Sequence, residues 1–377
     1  MAEKIKRFIE CYVPVTCCNL KCEYCYVPQK HWQQGRMPQF KYTPAQIGRA
    51  FSRARWGGLC YVSICGGGET LLPPEMPTIV HEILKQDHFV NLTTNGTCTQ
   101  AFETILKLIP PEMLERLHFA FSLHYLELKR LNLLSVFAEN VARMRRAGCS
   151  FVVQLNLYDG YLPYLDEIKD YCLKHFKALP QLAATRDEKQ PRLKLLTSLS
   201  EDEYLRLGRQ FESPLFDFTM QNFNRRHSEF CHAGAWTFVA DLAEGWIKPC
   251  YCTGEMIDFI QDTDKPIPFC PVGRNCRSDF CHNSSHFLSL GNIPEKFTEI
   301  TYAGLRNRPE ANWYTSRMSQ FLSTKLQDDN ARLSSMGKLF YSQRTILFDL
   351  TRRAANKLSR LLFHREIFRS RFSNYSR

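Results

Sequence analysis

The tightest constraint in this chain is the run Cys18-Asn-Leu-Lys-Cys22-Glu-Tyr-Cys25, with Tyr26 directly after it. It lies just past an apolar stretch (Phe8, Ile9, Cys11, Tyr12, Val13) that reads as a β-strand. Three thiolates on one short loop can wrap one face of an iron–sulfur cube and leave its fourth iron without a protein ligand. An open iron is a place for a second molecule to bind. The competing reading is a structural zinc, which needs a fourth Cys or His to close its tetrahedron. Cys17 is at hand, but adjacent cysteines chelate one small ion awkwardly. The loop therefore favours iron–sulfur over zinc.

The wider cysteine pattern agrees with metal chemistry. The chain has 16 cysteines in 377 residues. There is no run of apolar residues long enough to span a bilayer and no signal-peptide stretch ahead of the cysteines. A cytoplasmic protein is expected, where cysteines serve metal or redox roles rather than disulfides. They fall in two groups: 17, 18, 22 and 25, then 231, 250, 252, 270, 276 and 281. Cysteines 11, 60, 65, 98, 149 and 172 sit in apolar segments and read as small core residues.

Short apolar runs alternate with helical patterns through the first half. Strands are expected at Phe8–Val13, Tyr61–Cys65, Phe89–Thr94, His118–Leu123, Phe151–Leu157 and Leu193–Leu196. Helices are expected from Pro44 (capped by Thr43), over Pro77–Gln86, Gln100–Leu108, Ser135–Ala147 and Leu162–Phe176. Six strand–helix repeats predict a parallel sheet with helices outside, and ligands at the carboxyl ends of the strands. There the second strand runs into Gly66-Gly67-Gly68-Glu69. Three glycines let backbone approach a ligand, and Glu69 adds a negative acceptor. Asn95, Asn156, Ser122 and His124 close other strands; the two asparagines read equally as turn formers, and His124 as a structural histidine. Arg186-Asp187-Glu188 reads as a solvated loop, and Ser213–Arg226 as a linker.

The spacing of Cys18, Cys22 and Cys25, with the aromatic Tyr24 before the third, resembles the cluster motif of the radical S-adenosylmethionine (radical SAM) superfamily. The resemblance implies a six-stranded partial (β/α)6 barrel of the TIM type over about residues 5–200. It implies a 4Fe–4S cluster held by those three cysteines, with the amine and carboxylate of SAM on its open iron. One electron then cleaves SAM to a 5′-deoxyadenosyl radical that takes a hydrogen atom from a substrate. A low-potential donor such as flavodoxin or ferredoxin would supply the electron. By the same resemblance Gly67, Gly68 and Glu69 hold the SAM amino group and Ser122 lies near the ribose, with Tyr24, Gly66, Asn95 and Asn156 as further candidates to face the cofactor. His124 departs from the commoner residue near the ribose and stands as the one catalytic candidate.

The later cysteines include Cys231-x13-Gly245-x4-Cys250, which resembles the SPASM or twitch auxiliary-cluster extension. Trp236–Leu242 with Glu244-Gly245 reads as a hairpin that would bring Cys231 and Cys250 together. Too few cysteines remain for two fully ligated cubes, so one auxiliary 4Fe–4S cluster on Cys231, Cys250, Cys276 and Cys281 is expected, with Cys252 and Cys270 in reserve. Zinc is the rival occupant.

Charge is concentrated at the end. Of the net +11, residues 337–377 carry +8, with ten Lys/Arg against two acids. Leu347, Leu350, Ala354, Leu358 and Leu361 recur at helical spacing among basic residues. Such a helix contacts a partner protein or an anionic membrane, or packs its stripe on the barrel; packing is the preferred outcome, and no nucleic acid is expected.

The division expected is a barrel over 1–205, an auxiliary-cluster domain over 206–295 and a basic helical extension over 296–377. The reading is a radical SAM oxidoreductase or transferase acting on a small-molecule or sugar-type substrate. Seventeen residues before Cys18 are too few for a leader-binding module, which sets a peptide-modifying enzyme second. A zinc-stabilised protein that binds nucleic acid or membrane is the reading from another class.

Overall fold

The computed structural model describes residues 3–31, 34–189, 192–251, 255–274, 276 and 278–363. Six strands pair in chain order, all parallel: β1 (Arg7–Val13), β2 (Cys60–Gly66), β3 (Phe89–Thr94), β4 (Leu117–Ser122), β5 (Ser150–Leu157) and β6 (Gln181–Ala184). Helices Pro44–Ala50, Met76–Leu84, Thr99–Leu108, Leu134–Arg146 and Leu165–Phe176 link them, as the 3.6-residue apolar period required. Thr43 caps the first of these in a full capping box with Gln46. This is the partial barrel expected.

The sixth strand lies elsewhere than expected. β6 is Gln181–Ala184, and Leu193–Leu196 contributes instead to a two-stranded ribbon, where β7 (Arg186–Asp187) pairs with β8 (Lys194–Leu195). Lys194 is exposed and Leu193, Leu195 and Leu196 are only half-buried, unlike the two-faced burial of a central parallel strand. Arg186–Glu188 is no solvated loop: Glu188 is nearly buried and pairs with Lys30 at 2.5 Å and Arg186 at 2.7 Å. Nor is Ser213–Arg226 a linker. Pro214–Asn222 is a helix that buries Leu215, Phe216 and Phe218, and Ser213 ties it to β6 through Gln181 Oε1.

Among the described residues the sheet has nine strands rather than six. β9 (Thr237–Asp241) pairs parallel with the outer edge of β1, and β10 (Trp246–Lys248) and β11 (Ile257–Asp258) follow antiparallel. The expected hairpin forms at β9–β10, turning through Gly245 at φ +82°. The later cysteine group is thus built onto the same sheet. Residues 301–330 close the amino end of the barrel, where Tyr302, Trp313, Phe321 and Leu322 are buried and Asn330 bonds the Lys6 carbonyl.

Last comes helix Ser335–Phe363. Its first turns dock: Lys338 pairs with Glu295, and buried Ser342 accepts the Arg274 amide. The preference for a stripe packed on the barrel fails, because Leu347 is 64% exposed and Leu350 55%. Leu358 and Leu361 have no described side chains. Among the described residues no helix is long and apolar enough to cross a membrane.

Candidate functional site

The cysteine loop leaves the carboxyl end of β1 and lies across the ends of β2–β5. Its seat is the glycine run. The amide of Gly68 donates to the Val15 carbonyl at 2.6 Å, and that of Glu69 to the Cys17 carbonyl at 3.0 Å. Gly68 can have no side chain, since a Cβ there would meet the Cys17 oxygen at 2.0 Å. The glycines therefore admit the cysteine loop's own backbone.

Glu69 fastens this seat to the next strand. One oxygen accepts the Thr94 hydroxyl at 2.6 Å and the Leu71 amide at 3.0 Å; the other accepts the Asn95 amide at 2.7 Å. Burial raises its carboxyl above the usual range against those donors. Asn95 in turn reaches the loop, donating to Asn19 Oδ1 at 2.8 Å and lying 3.9 Å from Cys18 Sγ. Glu127 holds the far side through the Lys21 amide at 3.0 Å.

Held this way, the three thiols act on one another. Burial pushes Cys18 up to about 11, with Cys25 adding to the rise. Cys22 rises further, by burial and then by Cys25 and Cys18. Neighbouring half-buried thiols that resist ionisation gain by delivering their negative charge to a cation.

Tyr24 bonds the Cys22 thiol and sits in an aromatic nest. Its hydroxyl lies 2.7 Å from His124 Nδ1 and 2.9 Å from the Tyr161 hydroxyl, and it also bonds Asn156. Burial lowers His124 to about 4, so its ring is neutral. Tyr158 packs its ring at a tilt against Tyr24 and bonds Glu23 at 2.6 Å.

Beside the loop opens a cavity of about 320 Å³, lined by Cys25, Tyr26, His124, Gln154, Asn156, Thr185 and Arg186, and closed opposite by Phe280–His286. Apart from Arg186, which is paired with Glu188, these polar groups are amides, hydroxyls and neutral rings. His282, like His124, is lowered to about 4 by burial. The wall Asn283 reaches down to Glu10 of β1, donating to Oε1 at 2.5 Å.

Glu10, Glu127, Tyr158 and Tyr161 carry no expectation from the sequence. Glu10 had a visible signal: an acid inside the apolar strand Phe8–Val13. Tyr158 and Tyr161 follow β5 in a 3-10 turn that no periodicity marks. Of the predicted residues, Cys18, Cys22, Cys25, Gly66, Gly67, Gly68, Glu69 and Asn95 gather around the loop, and Tyr24, His124 and Asn156 at the cavity. Ser122 ends β4 outside the cavity lining.

The second cysteine group lies behind β9 and β10. Cys231 bonds Gly273 across an isolated bridge, accepts Asn292 at 3.3 Å, and is raised to about 12 by burial, then by Cys250 and Cys276. Cys281 sits on the cavity wall, and Cys270 receives the Arg344 guanidinium at 2.9 Å. Cys252 lies outside the described residues. Among the described residues no three His, Cys, Asp or Glu side chains gather tightly enough for a single metal ion.

Residues 12–161 match the model of the Radical SAM superfamily. No curated protein matches the chain. Among solved structures, Streptococcus suis SuiB bound to S-adenosylmethionine is similar at 14% identity and TM-score 0.45, over 69% of this chain and 62% of SuiB. The chain thus matches less than two thirds of SuiB's length. Native anSMEcpe with bound AdoMet is similar at 14% identity and TM-score 0.43, over 91% of this chain and 99% of that one. BtrN in complex with AdoMet and 2-DOIA is similar at 13% and 0.33, over 88% and 92%.

Proposed function

We propose that this chain, which carries a radical SAM domain over residues 12–161, is an enzyme that binds a 4Fe–4S cluster through Cys18, Cys22 and Cys25 and acts on a polar small-molecule or sugar-type substrate. The observation that carries the reading is the convergence of those three thiols on a loop clamped by Gly68, Glu69, Asn95 and Glu127, with Cys25 on the wall of the cavity. The donor set fits such a group: three soft ligands and an open side facing space. When bound, the cluster with SAM supplies one-electron reductive cleavage and hydrogen-atom abstraction.

The chain's own residues do the rest. Glu69 and Asn95 hold the loop against the sheet, so that neither cysteine backbone nor cavity wall shifts. His124, neutral and bonded to Tyr24, offers the cavity a polar ring without a charge. Amides and hydroxyls of Gln154, Asn156, Thr185 and Ser284 suit hydroxyl-bearing ligands, whose groups both donate and accept. An auxiliary cluster on Cys231, Cys250, Cys276 and Cys281 completes the proposal, and a flavodoxin- or ferredoxin-type donor would reduce the first.

Anaerobic reconstitution with iron and sulfide, then dithionite and SAM, tests it. Brown protein should form 5′-deoxyadenosine. Cys18→Ala, Cys22→Ala and Cys25→Ala should each lose this by at least about a hundredfold, since water or a hydroxyl replaces a thiolate poorly. Cys17→Ala should retain most of it. Retained cleavage in Cys22→Ala would overturn the assignment.

A further inference from the structure

The C-terminal helix is docked by one face and bare on the other. At about 100° per residue, Lys338 and Ser342 fall on one side of Ser335–Phe363, where they bind Glu295 and the Arg274 amide. Met336, Phe340, Leu347 and Leu350 fall on the opposite side, with Leu339 and Ile346 at its margin, and all six are exposed. Ala354 continues the same line. A continuous apolar face on a helix already anchored by its back has no intramolecular duty left to it among the described residues.

Charge says what covers it. The helix sequence carries Lys338, Arg344, Arg352, Arg353, Lys357 and Arg360 against Asp349, and residues 364–377 add four arginines against Glu366. Lys357 is exposed, and Arg344, also exposed, reaches back to Cys270 Sγ. The rest of the chain is close to neutral, at +3 of the total +11. An apolar face on a segment whose sequence concentrates positive charge matches the boundary of an anionic bilayer, where acyl chains meet negative headgroups. A protein partner would need an acidic apolar groove, and nucleic acid would leave the apolar face uncovered.

We propose that the exposed face of helix Ser335–Phe363 lies on an anionic membrane surface, holding the enzyme there peripherally. Full-length protein is sedimented with vesicles of phosphatidylcholine, alone or doped with phosphatidylglycerol. The anionic vesicles should pellet at least about tenfold more protein at low salt. The excess should collapse at about 1 M salt, where screening shortens to about 3 Å. Leu347→Glu/Leu350→Glu should lose the pelleting with an unchanged melting temperature, because neither side chain packs on the body.

Three results would overturn the proposal. One is equal pelleting with both vesicle types. A second is undiminished pelleting of the double variant, which would leave charge alone responsible. The third is a dimer in light scattering that the double variant dissolves, which would make a second copy of this chain the occupant.

Discussion

At Gly68 a single added carbon would lie 2.0 Å from the Cys17 carbonyl oxygen, backbone against backbone. Neither partner is a flexible side chain, so the strain has to move the cysteine loop. Gly68→Ala should cost at least about 2 kcal/mol by overpacking and lower the iron retained after reconstitution. Unchanged iron content and melting temperature would show that the loop has slack. Glu69→Gln probes the same seat more gently. One carboxylate oxygen becomes an amide nitrogen, so a buried donor, the Asn95 amide or the Thr94 hydroxyl, loses its acceptor at about 1–3 kcal/mol. The glycine–glutamate run was legible as a special turn, because only glycine permits such approach. What approaches was not legible: the visitor is residue 17 of the same chain, a contact between segments fifty residues apart in sequence. Tyr24 was legible by its place in the motif, whereas its partners Tyr158 and Tyr161 lie in a turn with no pattern to betray them.

Among the elements, β1 is the one that departs from expectation for a buried parallel strand. Glu10 stands in register with Ser63, Asn91, His118 and Ser150, so five neighbouring strands carry a polar residue at one level of the barrel. Burial raises the Glu10 carboxyl to about 7, opposed by bonds from Tyr251 and Asn283 and by the Arg306 charge. Between about pH 4.5 and 7 the folded state keeps a proton that the unfolded chain has released, so this group's contribution to stability falls as pH rises. The cost at pH 8 reaches about 3 kcal/mol. Glu10→Gln should therefore raise the melting temperature of cluster-depleted protein more at pH 8 than at pH 5. Equal effects at both would mean that Glu10 is already charged in the fold at low pH. Strands β1–β5 were readable because each is a compact apolar run. β6 was not, since Gln181-Leu-Ala-Ala is short and weakly patterned while Leu193–Leu196 looks more strand-like yet is only half-buried at its leucines. The mate of β1 on its open side, β9, is over 200 residues away, and no local signal announces so distant a pairing.

Across the whole molecule, that pairing puts both cysteine groups on one sheet. Cys18, Cys22 and Cys25 follow β1, and Cys231 and Cys250 flank the β9–β10 hairpin beside it. The two groups nevertheless differ in what surrounds them. Both reach the cavity, the first through Cys25 and the second through Cys281, but Cys231 is walled by Gly273, Asn292 and its fellow cysteines. An auxiliary cluster there would have all its irons ligated by protein, with no site for SAM. Cys231→Ala/Cys250→Ala should accordingly lower iron by about one cluster's share, near half, while dithionite-driven formation of 5′-deoxyadenosine persists. Cys231 meets Gly273 through backbone, so the bridge itself survives the substitution and the sheet should hold. Zinc analysis runs alongside, because four thiols around one hairpin also suit that ion. Stoichiometric zinc in the parent, lost with the double substitution and with no change in iron, would replace the auxiliary cluster by a structural zinc. Loss of SAM cleavage together with the iron of both groups would instead make the β9–β10 edge a support that the first cluster cannot do without.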